Sequence, residues 1–103
     1  MGTPKNVAEE IVAGVADVRI PAMMGEWLVY FREKMVGTIE DGYLYVTIVP
    51  AAEELLPNAV RQSPHAGAKP RLRVENVSDK AFLYALFAAM WEELPASKRR
   101  TSR

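Results

Sequence analysis

The chain predicts a two-layer α+β domain, with one antiparallel sheet of about four to five strands packed against helices. Three observations support that fold class. Apolar residues recur at helical spacing near both ends, from Val7 to Val15 and again from Phe82 to Trp91. The stretch between Asp17 and Val49 alternates instead, and turn signals cut it every few residues. Half of the 103 residues are apolar. A chain of this length buries roughly 60–70% of its unfolded surface, which is enough for one core without staples.

Each element has its own cause. Thr3 is placed to cap a first helix and Pro4 suits its first position. Val7, Ile11, Val12 and Val15 then share one side while Glu9 and Glu10 take the other, which predicts a helix over 4–16. Val18, Arg19 and Ile20 form a short strand that Pro21 ends or confines to an edge. Gly25-Glu26 reads as a turn between Met23-Met24 and a strand over 27–31. Arg32, Glu33 and Lys34 make the next turn, before a strand over 35–39 broken by Gly37. Asp41-Gly42 is the strongest turn signal in the chain, and a strand over 43–49 follows it. Strands joined by such short turns are antiparallel neighbours.

Pro50 opens a short helix over 51–56, which Pro57 ends. Residues 61–70 have no apolar period and read as a loop. Arg71 to Val74 alternates and returns to the sheet with Leu72 and Val74 on one face. Ser78 caps a final helix that runs to about Leu94, where Pro95 stops it. The expected order is α-β-β-β-β-α-β-α, one domain over 1–97. Residues 98–103 form a basic tail, which reads as a frayed, solubilising end.

Composition excludes several function classes. The chain has no cysteine, so disulfides, thiolate metal sites and thiol catalysis are ruled out. That suits a reducing cytoplasm. The apolar run around Phe82 to Trp91 is about half the ~20 residues of a spanning helix, and the first residues lack the apolar core of a secretory signal. Net charge is zero, yet Lys98, Arg99, Arg100 and Arg103 crowd the tail. Setting these four aside leaves nine basic against thirteen acidic residues. A folded face that clamps nucleic acid shows a basic patch, and an acidic body does not suggest one.

The candidates for chemistry are few. His65, the one histidine, lies in a loop with no acidic neighbour in sequence and reads as an idle surface residue. Ser63 and His65 lack the setting of a nucleophile elbow. Gly67-Ala68-Lys69-Pro70 lacks the hydroxyl residue and helix of a phosphate loop. The adjacent pairs Glu9-Glu10, Glu53-Glu54 and Glu92-Glu93 splay around their helices rather than converging. No catalytic, cofactor or metal-binding residue is expected, and the chain reads as non-enzymatic. Aromatic residues on the strands (Trp27, Tyr30, Phe31, Tyr43, Tyr45) read as packing, because a base-stacking sheet needs basic residues between its rings.

The last helix stands out, since Phe82, Leu83, Tyr84, Leu86, Phe87, Met90 and Trp91 nearly encircle it. A helix apolar all round is buried on more than one side. Phe82, Phe87, Met90 and Trp91 are therefore the candidate interaction residues, for a homodimer or a protein partner. Arg61, Lys69, Arg71 and Arg73 cluster around the loop and its following strand. They are the candidate contacts of an alternative reading as a DNA-binding protein. A small-ligand-binding domain is the third reading.

Met23-Met24-Gly25-Glu26 with Leu28-Val29-Tyr30 resembles the Met-Phe-Gly segment and following strand of the N-terminal domain of the TfoX/Sxy competence regulators. Asp41-Gly42-Tyr43-Leu44-Tyr45-Val46 resembles that domain's second strand motif. Gly67-Ala68-Lys69-Pro70 is similar to its proline-flanked loop. Ala22 stands where the family usually has lysine, and Met24 at its aromatic position. The resemblance implies a secretion-chaperone-like α+β fold that often pairs into dimers, in a stand-alone single-domain member. It also implies a link to transcription of DNA-uptake genes, with no catalytic residues.

Overall fold

A computed structural model describes residues 2–95; the basic tail lies outside the described residues. α1 (Lys5–Val12) leads into two short strands, β1 (Val18–Arg19) and β2 (Ala22–Met23). Three longer ones follow: β3 (Glu26–Phe31), β4 (Lys34–Glu40) and β5 (Tyr43–Val46). After α2 (Pro50–Leu55) come β6 (Arg61–Gln62), β7 (Arg71–Val74) and α3 (Lys80–Trp91). The strands form one antiparallel sheet in the order β1-β3-β4-β5-β7-β6, with β2 also on β3.

Three two-residue turns build its centre, at Met24-Gly25, Arg32-Glu33 and Asp41-Gly42. All six residues have positive φ, between 48° and 87°. Left-handed backbone at both central positions matches the twist of the flanking strands. Arg32-Glu33 adopts it without glycine, so the surroundings must hold it. The Arg32 amide donates to Asp17 O at 3.0 Å, and its guanidinium reaches Asp17 Oδ2 at 3.2 Å and Tyr84 Oη at 2.6 Å. Pro21 separates β1 from β2 along one edge of β3. It lacks an N–H, yet its carbonyl still accepts from Leu28 N at 2.9 Å.

Register assigns the two faces. Trp27, Ile39, Leu44 and Val74 lie in one row, and Val29, Gly37, Val46 and Leu72 in the next. These rows carry the core, onto which α3 lays Leu83, Leu86, Phe87 and Met90, all fully buried. Full burial of each such side chain contributes about 1.5–3 kcal/mol. Phe31 meets Tyr84 edge-on at 5.5 Å and Phe87 at 5.9 Å. Gly37 has no room for a side chain, since a Cβ there would lie 1.9 Å from Tyr45 O.

Several expectations need correction. The sheet has seven strands rather than four or five: the expected short strand at Val18 is there as β1, while β2 beyond Pro21 and β6 are two-residue pieces that leave no alternation to detect. One of them, β6, opens the predicted 61–70 loop. β5 stops at Val46 instead of Val49, α2 takes in Pro50, and α1 stops at Val12 instead of residue 16. Thr3 does not cap α1: Pro4 holds that position with no side-chain cap, and the Thr3 hydroxyl is used between hairpins. Asp79, not Ser78, caps α3 by accepting from Phe82 N at 3.0 Å, while Ser78 donates to Asn76.

α3 is also less greasy outside than its composition suggested. Its 100° step turns the large side chains inward and leaves Ala81, Ala85 and Ala89 exposed. Phe82, Tyr84 and Trp91 flank that strip, half-buried. No described helix is long and apolar enough to cross a membrane.

Gly37→Ala should cost about 3 kcal/mol or more, since the clash is with backbone that cannot rotate away. Urea denaturation followed by circular dichroism checks this; a loss below about 1 kcal/mol would refute the close approach.

Candidate functional site

The second face of the sheet carries Leu28, Thr38, Tyr45 and Arg73 in one row, with Glu40 opposite Tyr43 beyond it. Several polar and titratable side chains meet one another on it or at its end. The site begins at the end where the Met24-Gly25 and Asp41-Gly42 turns lie side by side. Thr3 stitches them together, its amide donating to Gly25 O at 2.9 Å and its hydroxyl to Glu26 Oε1 at 2.6 Å. The same hydroxyl accepts from Gly42 N at 3.0 Å, and Glu26 Oε1 accepts from Asp41 N at 3.2 Å. Trp27 Nε1 closes the stitch by donating to Thr3 O at 2.8 Å.

Glu40, the last residue of β4, is fixed between that stitch and the loop after β6. Its side chain is only 6% exposed. Oε1 lies 2.7 Å from Nδ1 of His65, whose side chain is 58% exposed. An ionised carboxylate can only accept, so in this contact Nδ1 is the donor. Oε2 is buried and has no hydrogen-bond partner among the described residues. Such an oxygen costs about 1–3 kcal/mol when left unmet. Gly2, Met23, Met24, Gly25, Glu26, Glu40 and His65 together line a pocket of about 490 Å³.

His65 therefore does have an acidic partner, contrary to expectation, and it comes from 25 positions away. The signal in the sequence was faint. Glu40 precedes the Asp-Gly turn, as a polar strand end often does, and nothing local shows that the 61–70 segment folds back over it.

Beside Glu40 the phenol of Tyr45 is buried, at 2% exposure. Its pKa is raised, first by that burial. Arg73 opposes the shift, while Asp41, Glu40 and Tyr43 add to it. Arg73 lies over the Tyr43 ring at 4.7 Å and pairs with Glu75 at 2.7 Å. Arg71 donates to Thr38 Oγ1 at 3.2 Å. Arginines thus do interleave with tyrosines on this face, which the sequence did not suggest. Tyr45 offers no ring surface, and Arg73 occupies one face of the exposed Tyr43 ring.

The four candidate basic residues are not brought together. Arg61 pairs with Glu53 of α2 on the helix side, Arg71 and Arg73 face the other way, and Lys69 sits exposed in the loop. Of the four candidate interaction residues, Phe87 and Met90 are fully buried and cannot meet a partner. Phe82 remains half-exposed beside an apolar cleft with Leu55, Leu56, Pro57 and Ala59. Trp91 is tied down, with its Nε1 donating to Arg32 O at 3.2 Å and Lys34 Nζ lying 3.8 Å over its ring. Among the described residues no group of three His, Cys, Asp or Glu could hold a metal ion. Comparison with protein-family models, curated proteins and solved structures finds no match to this chain.

Two outcomes test the site's electrostatics. A double-mutant cycle of Glu40→Gln and His65→Ala, read by urea denaturation at neutral pH, should give a coupling of about 1 kcal/mol. A coupling near zero would mean that the two side chains do not meet. The raised pKa of Tyr45 links to stability as well. The unfolded chain releases that proton first, so the contribution of the neutral phenol is complete below about pH 10 and is lost as pH rises through the folded value. Tyr45→Phe should shift alkaline unfolding to higher pH, and an unchanged midpoint would contradict the burial assigned to it.

Proposed function

We propose that this domain is a non-enzymatic recognition and regulatory module that docks a protein partner, in the first place a second copy of itself, along the outer face of α3. The carrying observation is the strip of Ala81, Ala85 and Ala89, exposed and flanked by half-buried Phe82 and Tyr84. No charged residue interrupts α3 between Lys80 and Glu92, whereas a solvent-facing helix surface is normally polar. Alanines let a second backbone approach closely, and Phe82 supplies a projecting group. In an antiparallel twofold crossing centred near Ala85, Phe82 of each copy falls over Ala89 of the other, which makes the contact self-complementary. The motif resemblance to the TfoX/Sxy N-terminal domain agrees with such pairing. On that resemblance the module acts in the cytoplasm, in control of DNA-uptake genes.

Direct DNA binding is the weaker reading, because Arg61 and Arg73 already hold carboxylates and Arg71 and Lys69 alone make a poor phosphate track. Catalysis by the Glu40–His65 pair has one observation in its favour, the 2.7 Å contact. Against it stands the exposure of His65, since general-base catalysis gains most where water is excluded.

Sedimentation at about 100 µM, well above a micromolar Kd of ~8 kcal/mol, should show a dimer. Ala85→Glu should make it a monomer with an unchanged circular dichroism spectrum. A wild-type chain that stays monomeric under these conditions would rule out self-docking.

A further inference from the structure

We infer that the pocket between the Met24-Gly25 turn and His65 is a binding site for a primary alkylammonium group, with Glu40 Oε2 as its anchor. The inference is independent of how α3 pairs, since the pocket lies at the end of the opposite sheet face.

Charge is the first argument. Glu26 and Glu40 line the pocket and Asp41 adjoins it, while no lysine or arginine lines it. A cation is the ligand that this wall attracts.

The unmet oxygen is the second. Glu40 is 94% buried by its 6% exposure, and Oε2 has no partner among the described residues. Glu40 cannot relax into water, because it ends β4 directly before a turn held by the Thr3–Glu26 stitch. A donor brought by a ligand would recover the cost of that oxygen.

Geometry then selects the kind of cation. Guanidinium binds carboxylate best with two parallel N–H groups on two oxygens. Here Oε1 is already engaged by His65, so a two-pronged fork has only one oxygen to use. An ammonium is a compact point charge with freely rotating donors, and it needs only one.

The stem is selected by the rim. Met23 is 42% and Met24 96% exposed, an unusual placement for two adjacent thioether side chains. Thioethers are polarizable and adapt to irregular apolar shapes, so they suit a short alkyl chain leading to the ammonium. In the complex His65 keeps Oε1 and the ammonium takes Oε2, so that both oxygens of the buried carboxylate are met.

The test is a titration of ¹³C-methyl-methionine protein with butylammonium chloride, using butylguanidinium chloride and butanol as controls and reading the Met23 and Met24 methyl signals. Nα-acetyl-lysinamide serves as a further arm, to tell a protein lysine from a free amine. Saturable shifts are expected with butylammonium, weaker ones with butylguanidinium and none with butanol. Glu40→Gln should weaken binding at least tenfold. His65→Ala, which frees Oε1 for a two-pronged contact, should bring butylguanidinium level with butylammonium, an effect that loss of mere scaffolding would not produce. Met24→Lys, at a position so exposed that folding is not at stake, should weaken it at least threefold. The proposal is overturned if butylammonium gives no saturable shift, if butanol shifts the signals equally, or if Met24→Lys and Glu40→Gln bind as wild type does.

Discussion

The inner face of a sheet whose strands are two to seven residues long has to be hidden by α3 together with Ala8 and Ile11 of α1 and Ala52 of α2, and the rest of the structure follows from that constraint. α3 meets it by turning Leu83, Leu86, Phe87 and Met90 onto the sheet with no exposure left. Such packing fixes the rotation of α3 about its axis, and both ends are held accordingly. At the start, Lys80 Nζ donates to Glu10 O at 3.0 Å, Ile11 O at 2.7 Å and Val77 O at 2.8 Å. One side chain thereby joins the carboxyl end of α1 to the beginning of α3, where a cation also suits the α1 dipole. At the far end, Lys34 Nζ donates to Trp91 O at 2.9 Å while Trp91 donates to Arg32 O. The strained Arg32-Glu33 turn is held by the helix it helps to hold.

With most of the large apolar groups committed to that inner face, the outer face is left to shorter means. It has no helix of its own there, yet Thr38, Glu40 and Tyr45 are buried on it. Their cover comes from Arg71 and Arg73 of β7 and from the segment that carries His65. Polar groups covered by polar groups can be stable only if each finds a partner. Thr38 does so through Arg71, whereas Glu40 does so at one oxygen only.

The inner layer was legible in the sequence for a physical reason. Helical and strand periods are properties of neighbouring residues, so Val7 to Ile11, Leu72 to Val74 and the Asp41-Gly42 turn could all be placed. The number of strands could not, because β2 and β6 are too short to show a period and exist only through their partners in β3 and β7. Nor could the fate of Thr3. Its position before Pro4 fits a cap, but two hairpin turns distant in sequence compete for its hydroxyl and win. The candidate site fails for the same reason, since His65 and Glu40 meet only because a loop folds back across the sheet. The apolar character of α3 was visible, but its sidedness was undervalued: the step from Leu83 to Phe87 to Met90 defines an inside, and the alanines between define an outside.

That leaves the question of why Glu40 should be a carboxylate at all. A glutamate at the end of a strand, just before a tight turn, would normally extend into water and cost nothing. Here the turn is pinned by Thr3 and Glu26 and the loop lies across the side chain, so the charge is kept from water on one oxygen. Folding alone gains nothing from this: an apolar or amide side chain of similar volume would fill the space without leaving an ionic oxygen unmet, and replacements of buried ionic groups are often neutral or stabilising. The neighbouring methionines add a second expense, since apolar surface at Met24 is left in water beside that same carboxylate. Two features that each reduce stability, one ionic and one apolar, share a single pocket. A ligand with a charged head and an apolar stem would offset both at once, and neither water nor a simple metal ion could.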